Sequence, residues 1–159
     1  MQDLEIKISV KRYQLEELPK EDQELVARAI EATHNSYANY SHFHVGAAVR
    51  LHNGHIVIGA NQENAAFPSG LCAERTAIFA AQANIPDQPI EALAIAASSQ
   101  QGMTAMPVPP CGACRQVGLE IEDRYKQPMR VLLYGTQGVY VVESMHDLVP
   151  LSFADRMMR

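Results

Sequence analysis

Two short cysteine motifs, Cys72-Ala73-Glu74 and Pro110-Cys111-Gly112-Ala113-Cys114, constrain this chain more than anything else in it. Between them they hold all three of its cysteines. Three thiolates can bind a Zn²⁺ and leave its fourth position open, the layout of a catalytic rather than a structural site. Glu74 lies two residues from Cys72, where a carboxylate can move protons on and off a water at the open position. Each motif also opens a predicted helix. Cys72–Asn84 is alanine-rich and apolar nearly all round, and Cys111–Tyr125 follows a stiff approach of Pro107, Pro109 and Pro110. One ion held by all three thiols ties those two helices together. The placement suits the chemistry, because exposed N–H groups and the macrodipole at a helix N-terminus lower a thiol's pKa. On the second helix Cys111, Cys114, Gly118, Ile121 and Tyr125 share one face, with Gly118 read as a point of close approach between the two helices.

Two competing readings of the cysteines are weaker. A structural zinc site closes with four protein ligands, and there is no fourth cysteine. The six histidines, His34, His42, His44, His52, His55 and His146, all fall outside both motifs. A redox reading of Cys111-Gly112-Ala113-Cys114 leaves Cys72-Ala73-Glu74 unexplained.

The remaining pattern describes an α/β chain. Leu25, Val26, Ala29, Ile30 and Thr33 form an amphipathic helical stripe after Pro19. Val45–Leu51 and His55–Ala60 flank Asn53-Gly54, a hairpin turn signal. Ile90–Ala97, Arg130–Tyr134 and Val139–Val142 read as further strands. The last two are joined by Gly135-Thr136-Gln137-Gly138, too short for a parallel crossover, so that pair is expected antiparallel. Leu4, Ile6, Ile8 and Val10 alternate with Glu5, Lys7, Ser9 and Lys11, which predicts an edge strand or an arm. Small residues at Val45-Gly46-Ala47 are read as letting a ligand approach the backbone.

Four stretches together resemble the cytidine deaminases, specifically the small homotetrameric type that acts on free nucleosides. They are Tyr40–Ala48, Asn61–Ala65, Cys72–Ala77 and Pro110–Gln116, within a likeness running from about Glu21 to Phe153. The cysteine motifs follow the general zinc-deaminase signature, with Cys72 in place of its histidine. The resemblance implies a three-layer α/β/α fold around a five-stranded mixed sheet whose last strand pair is antiparallel. It implies one Zn²⁺ per chain on Cys72, Cys111 and Cys114, with Glu74 as proton shuttle and Arg75 donating to thiolate sulfur. It further implies that Asn61 and Glu63 grip a ribose, that Phe43 lines the pyrimidine pocket, and that the Ala73 N–H meets the base carbonyl. Phe153 would reach into a neighbouring subunit's site. Residues 1–18 extend beyond the family's usual start, leaving 19–159 as one catalytic domain, and Phe67 stands where members often carry tyrosine.

Composition narrows the function further. The net charge of −5 and scattered basic residues disfavour nucleic acid as a partner. No apolar run approaches the roughly 18 residues of a membrane span, and Gln-Asp-Leu-Glu after Met1 shows no secretory signal, so a cytoplasmic setting is expected. The leading expectation is hydrolytic deamination of cytidine and deoxycytidine in pyrimidine salvage. The alternatives are a related aminohydrolase acting on a cytosine-containing antibiotic such as blasticidin S, and a non-catalytic zinc-stabilised binding protein.

Overall fold

In the computed structural model, which describes residues 1–159, the Asn53-Gly54 signal does turn the chain. Gly54 has φ of +86°, a left-handed conformation that glycine adopts without steric cost. Strands β2 (His44–Leu51) and β3 (Ile56–Ala60) pair antiparallel on either side, from Gly46 opposite Ala60 to Arg50 opposite Ile56. Strands β4 (Ile90–Ser99), β6 (Arg130–Gly135) and β7 (Gly138–Val142) complete the five expected from sequence. The link after β6 forces a tight hairpin, and β6 and β7 are antiparallel with Gly135 opposite Gly138. Only β4 and β6 run parallel, and helix α3 (Gly112–Tyr125) makes the crossover between them.

Two short strands widen the sheet to seven. They are β1 (Lys11–Tyr13), which pairs with β7, and β5 (Gly102–Met103), which pairs with the end of β4. The sheet order is β1-β7-β6-β4-β2-β3. A two-residue strand such as β5 is too short to show a periodic signal. The alternating run at Leu4–Val10 forms no strand within this chain, contrary to one reading of its pattern. Lys11 lies opposite Val141, so Val10 would meet Val142, the last residue of β7, and the chain before Val10 runs past the end of that strand.

Helices cover both faces. On one, Leu25, Val26 and Ala29 of α1 (Lys20–Ala32) pack on Ala48, Ala92, Ala94, Ala96 and Leu132. On the other, α2 (Ala73–Asn84) and α3 pack Ala77, Ile78, Leu119 and Ile121 against Val49, Leu93, Ile95 and Leu133. The three layers follow from strands that are apolar on both sides, as Ala47 and Ala48 of β2 show by facing opposite cores.

Glycine sets how closely these layers approach. A Cβ at Gly46 would stand 2.1 Å from the Ala29 carbonyl oxygen, and one at Gly59 2.4 Å from the Ala77 nitrogen. Gly46 therefore seats α1 on the sheet and does not itself open a ligand path. Gly118 also differs from its sequence reading. A Cβ there would meet the Met145 side chain at 2.6 Å, so it makes room for Met145, not for α2. The two helices are joined further along, where the Tyr125 hydroxyl donates to Gln82 Oε1 at 2.5 Å.

A buried carboxylate locks α1 to the sheet. Asp22, fully buried in the first turn of α1, meets Arg50 at 3.1 Å and Arg130 at 2.9 Å. Removing one partner of such a group strands a buried charge, which costs about 3 kcal/mol or more. Asp22→Ala should therefore lower unfolding free energy by about 3 kcal/mol. Urea denaturation with an unchanged m-value checks this, and a loss under 1 kcal/mol would show that the arginines re-pair with Glu21, Glu91 and Glu143, which also lie within 4 Å of them.

Candidate active site

The N-termini of α2 and α3 converge, as one shared ion requires. Cys72 and Cys111 are the extended residues just before each helix, and Cys114 is one turn into α3 and buried. The sulfurs of Cys72 and Cys111 are 3.7 Å apart, those of Cys111 and Cys114 are 3.5 Å apart, and all three lie within 4.8 Å of one another. Thiolates about 2.3 Å from a tetrahedral zinc stand about 3.8 Å from each other, so this spacing fits the ion. No histidine or acidic side chain joins the group, which leaves the fourth position to a small molecule.

The thiols share their protons unequally. The neighbouring Cys114 thiol, and the Arg75 guanidinium at 3.5 Å, hold Cys72 down at about 5 despite burial. Cys114 is pushed up in turn, first by the neighbouring Cys72 and then by burial. A dication held by the three sulfurs would displace their remaining protons.

Glu74 occupies the first turn of α2 and is only 4% exposed. Burial first, and the Cys72 thiolate second, raise its pKa above the ordinary carboxylate value. The shift brings its protonated and ionised forms closer in energy near neutral pH, as a group that both takes and gives protons needs.

A cleft of about 300 Å³ opens beside these groups. Phe43, Asn61, Glu63, Cys72, Ala73, Glu74 and Cys111, all singled out in the sequence, line it together. Ala73 is the first residue of α2, where helix N–H groups have no intrahelical acceptor. Val45, from the stretch read as a ligand approach, lines it too, and three apolar lining residues escaped the sequence reading: Ile95, Val108 and Pro109. Val108 and Pro109 belong to the proline-stiffened approach to α3, a pattern that predicts rigidity but not the direction in which it faces.

Asn61 and Glu63 build the cleft wall. Asn61 Oδ1 accepts from the Val45 N–H at 2.8 Å, and its Nδ2 donates to the Phe43 carbonyl at 2.9 Å. Glu63 accepts from the Tyr40 N–H at 2.8 Å, the Ser41 N–H at 3.2 Å and the Ser41 hydroxyl. The Ser41 hydroxyl and then the Tyr40 N–H hold the Glu63 carboxyl below its usual range. Both side chains therefore fix the segment carrying Phe43, and the amide still has one N–H and further lone pairs to offer.

Two supports behind the cysteines were not foreseen. Arg115 Nε donates to the Pro110 carbonyl at 2.8 Å and its Nη1 to the Leu148 carbonyl at 3.0 Å, pinning the backbone just before Cys111. The buried Glu122 accepts from the Met129 N–H at 2.6 Å, the Met145 N–H at 2.7 Å and the Ser144 hydroxyl, which fixes the turn that ends at Leu148. Neither partner is legible from spacing along the chain.

Phe153 stands apart from this chain's cleft. Its carbonyl accepts from Gln116 Nε2 at 3.0 Å, while the residue itself is 59% exposed. Phe67 is also exposed, edge-on to Tyr40 with ring centres 6.0 Å apart, beside a second hollow of about 390 Å³ that shares Asn61, Glu63 and Cys72 with the cleft.

Known proteins share this arrangement. Residues 19–126 match the family described as the cytidine and deoxycytidylate deaminase zinc-binding region. The cytidine deaminase of Halalkalibacterium halodurans is 38% identical over 131 residues, covering 82% of this chain and 92% of its own. That of Sporosarcina psychrophila is 36% identical over 132 residues, covering 83% and 90%. The crystal structure of cytidine deaminase from Burkholderia pseudomallei superposes with a TM-score of 0.70 at 39% identity, covering 82% of this chain and 97% of that one. The Mycobacterium tuberculosis cytidine deaminase structure gives a TM-score of 0.64 at 28% identity, covering 82% and 94%. With its helix-borne thiols and buried glutamate in the places these motifs demand, the chain belongs to the cytidine and deoxycytidylate deaminase zinc-binding family.

Proposed function

We propose that Cys72, Cys111 and Cys114 hold the ion and that Glu74 moves the protons of the reaction. The chain is a zinc-dependent hydrolase that deaminates cytidine and deoxycytidine to uridine and deoxyuridine, with one Zn²⁺ per chain. The observation that carries the assignment of roles is the meeting of three thiols within 4.8 Å beside a buried glutamate at one end of an apolar cleft.

When bound there, zinc supplies acidity, lowering the pKa of a coordinated water toward about 7. Glu74 accepts a proton from the attacking water and passes it to N3 of the cytosine ring, which makes C4 electrophilic. The water oxygen adds to C4, and Glu74 carries the second proton to the amino nitrogen. The C4–N bond then breaks, and ammonia leaves with uridine. Arg75 offsets the negative charge of the three thiolates through Cys72. Phe43 and the wall of Val108 and Pro109 hold the ring flat and exclude bulk water. Asn61 and Glu63 grip the ribose, and this remote anchoring keeps C4 in line with the water.

Asn61→Ala and Glu63→Ala should each raise KM for cytidine and deoxycytidine about tenfold, as loss of remote binding energy does. Zinc content should stay at one per chain. Steady-state kinetics with parallel metal analysis checks this, and unchanged kinetics in both variants would remove them from sugar contact.

The assembly we propose is a homotetramer working in pyrimidine salvage in the cytoplasm. Tyr40, Phe67, Phe79 and Phe153 are large, exposed and in part clustered near the cleft, as surfaces buried between subunits are. Phe153 then completes a neighbour's cleft. The three free thiols suit a reducing compartment, and no helix is long and apolar enough to cross a membrane. An ultraviolet assay on cytidine, deoxycytidine, blasticidin S and an RNA oligonucleotide tests the reading. Turnover of the two nucleosides is expected, and turnover of the antibiotic or the RNA alone would contradict it.

A further inference from the structure

The first ten residues hold a feature that deamination does not use. They make no regular secondary structure, and none of the backbone hydrogen bonds between elements involves them. Yet Leu4, Ile6, Ile8 and Val10 alternate along this arm, and each is 44% exposed or more. An unpaired segment with a strand's alternation of apolar residues has an edge to offer another strand. The arm is also held at its base, because β1 is hydrogen-bonded into the sheet and Lys11 lies 3.8 Å from Glu143.

We propose that this arm pairs antiparallel with the same arm of a second copy, about a two-fold axis at Ile6. In that register Leu4 faces Ile8 and Ile6 faces Ile6, so the apolar residues share one side of the ribbon. On the other side Glu5 faces Lys7, once on each side of the axis. Within one chain these two already point the same way, 3.8 Å apart and both about 80% exposed, with charge to offer a partner. A register centred on Lys7 would set two ammonium groups opposite each other. One centred on Ile8 would set Lys7 opposite Ser9 and Leu4 opposite Arg12, which loses a charge pair for Lys7 and an apolar partner for Leu4. The open outer edge of β3 is the competing place to dock, but Ile56, Val57 and Ile58 there carry no charge to meet Glu5 and Lys7. Pairing of like with like is also closed, since both arms are used up in one contact. Anchoring through β1 spares the ribbon the weakness of an isolated pair of strands. The contact needs only two copies and does not depend on the tetramer or on the active-site roles.

Two measurements on the zinc-loaded, full-length protein test it. Ile6→Cys should be linked between chains by diamide in high yield, and Ile8→Cys should not, because only position 6 meets itself. Glu5→Lys and Lys7→Glu should each weaken self-association about tenfold at low salt, and the double exchange should restore it. Sedimentation equilibrium reads the second test, with circular dichroism confirming the fold and turnover recorded on the same samples. Equal cross-linking at positions 6 and 8, or a double exchange that associates no better than either single change, overturns the proposal whatever the turnover.

Discussion

Glu74→Gln should retain zinc and fold but turn over cytidine at least about a hundredfold more slowly than the parent. The amide is nearly isosteric with the acid and makes no proton transfer. Burial, helped by the Cys72 thiolate, raises the Glu74 pKa, so the protonated wild-type side chain is easier to reach near neutral pH than that of an ordinary carboxylate. The substitution removes that capacity without opening a cavity. Tight binding of substrate with little product is the expected signature, because the cleft walls at Phe43, Val108 and Pro109 are untouched. Activity within a few-fold of the parent, at equal zinc content, would take Glu74 out of the proton path.

Replacing any one of Cys72, Cys111 and Cys114 by alanine should remove the metal and reduce activity to background. The effect should reach beyond chemistry. The ion joins the start of α2 to the start of α3, and apart from the Tyr125–Gln82 bond the two helices have few other ties. A ligand bound only by the folded state stabilises it by about 4 kcal/mol when present at a thousandfold over its Kd. Each cysteine variant should therefore melt at a lower temperature than the zinc-loaded parent, and the parent stripped by a chelator should fall by a similar amount. Thermal melts with and without added zinc check this. A variant that keeps full zinc occupancy would show that the three sulfurs do not act as one site.

Much of this was legible before any coordinate was known, for reasons that can be named. The cysteine motifs carry their own geometry, because a thiol just before a helix and another one turn inside it must lie near each other. The four residues Gly135–Gly138 left the β6–β7 pair no choice but to be antiparallel. Other features depend on what packs across space. Gly46 and Gly118 read equally well as ligand or helix approaches, and only the positions of Ala29 and Met145 decide between the uses. The resemblance marks Asn61 and Glu63 as site residues, but that their first bonds are to Val45, Phe43, Tyr40 and Ser41 is set by tertiary contact. Alternation from Leu4 to Val10 is a true strand pattern with no strand beside it in its own chain, which sequence periodicity alone cannot report.

The most direct test of the account is a zinc titration of chelator-stripped protein, with cytidine turnover followed by its ultraviolet change and ammonia measured alongside. Activity should rise linearly with added zinc and break at one equivalent per chain, with one ammonia released for each uridine formed. Full activity in the stripped protein, or a rise that continues past one equivalent, would contradict a single three-thiol zinc site at the centre of the reaction.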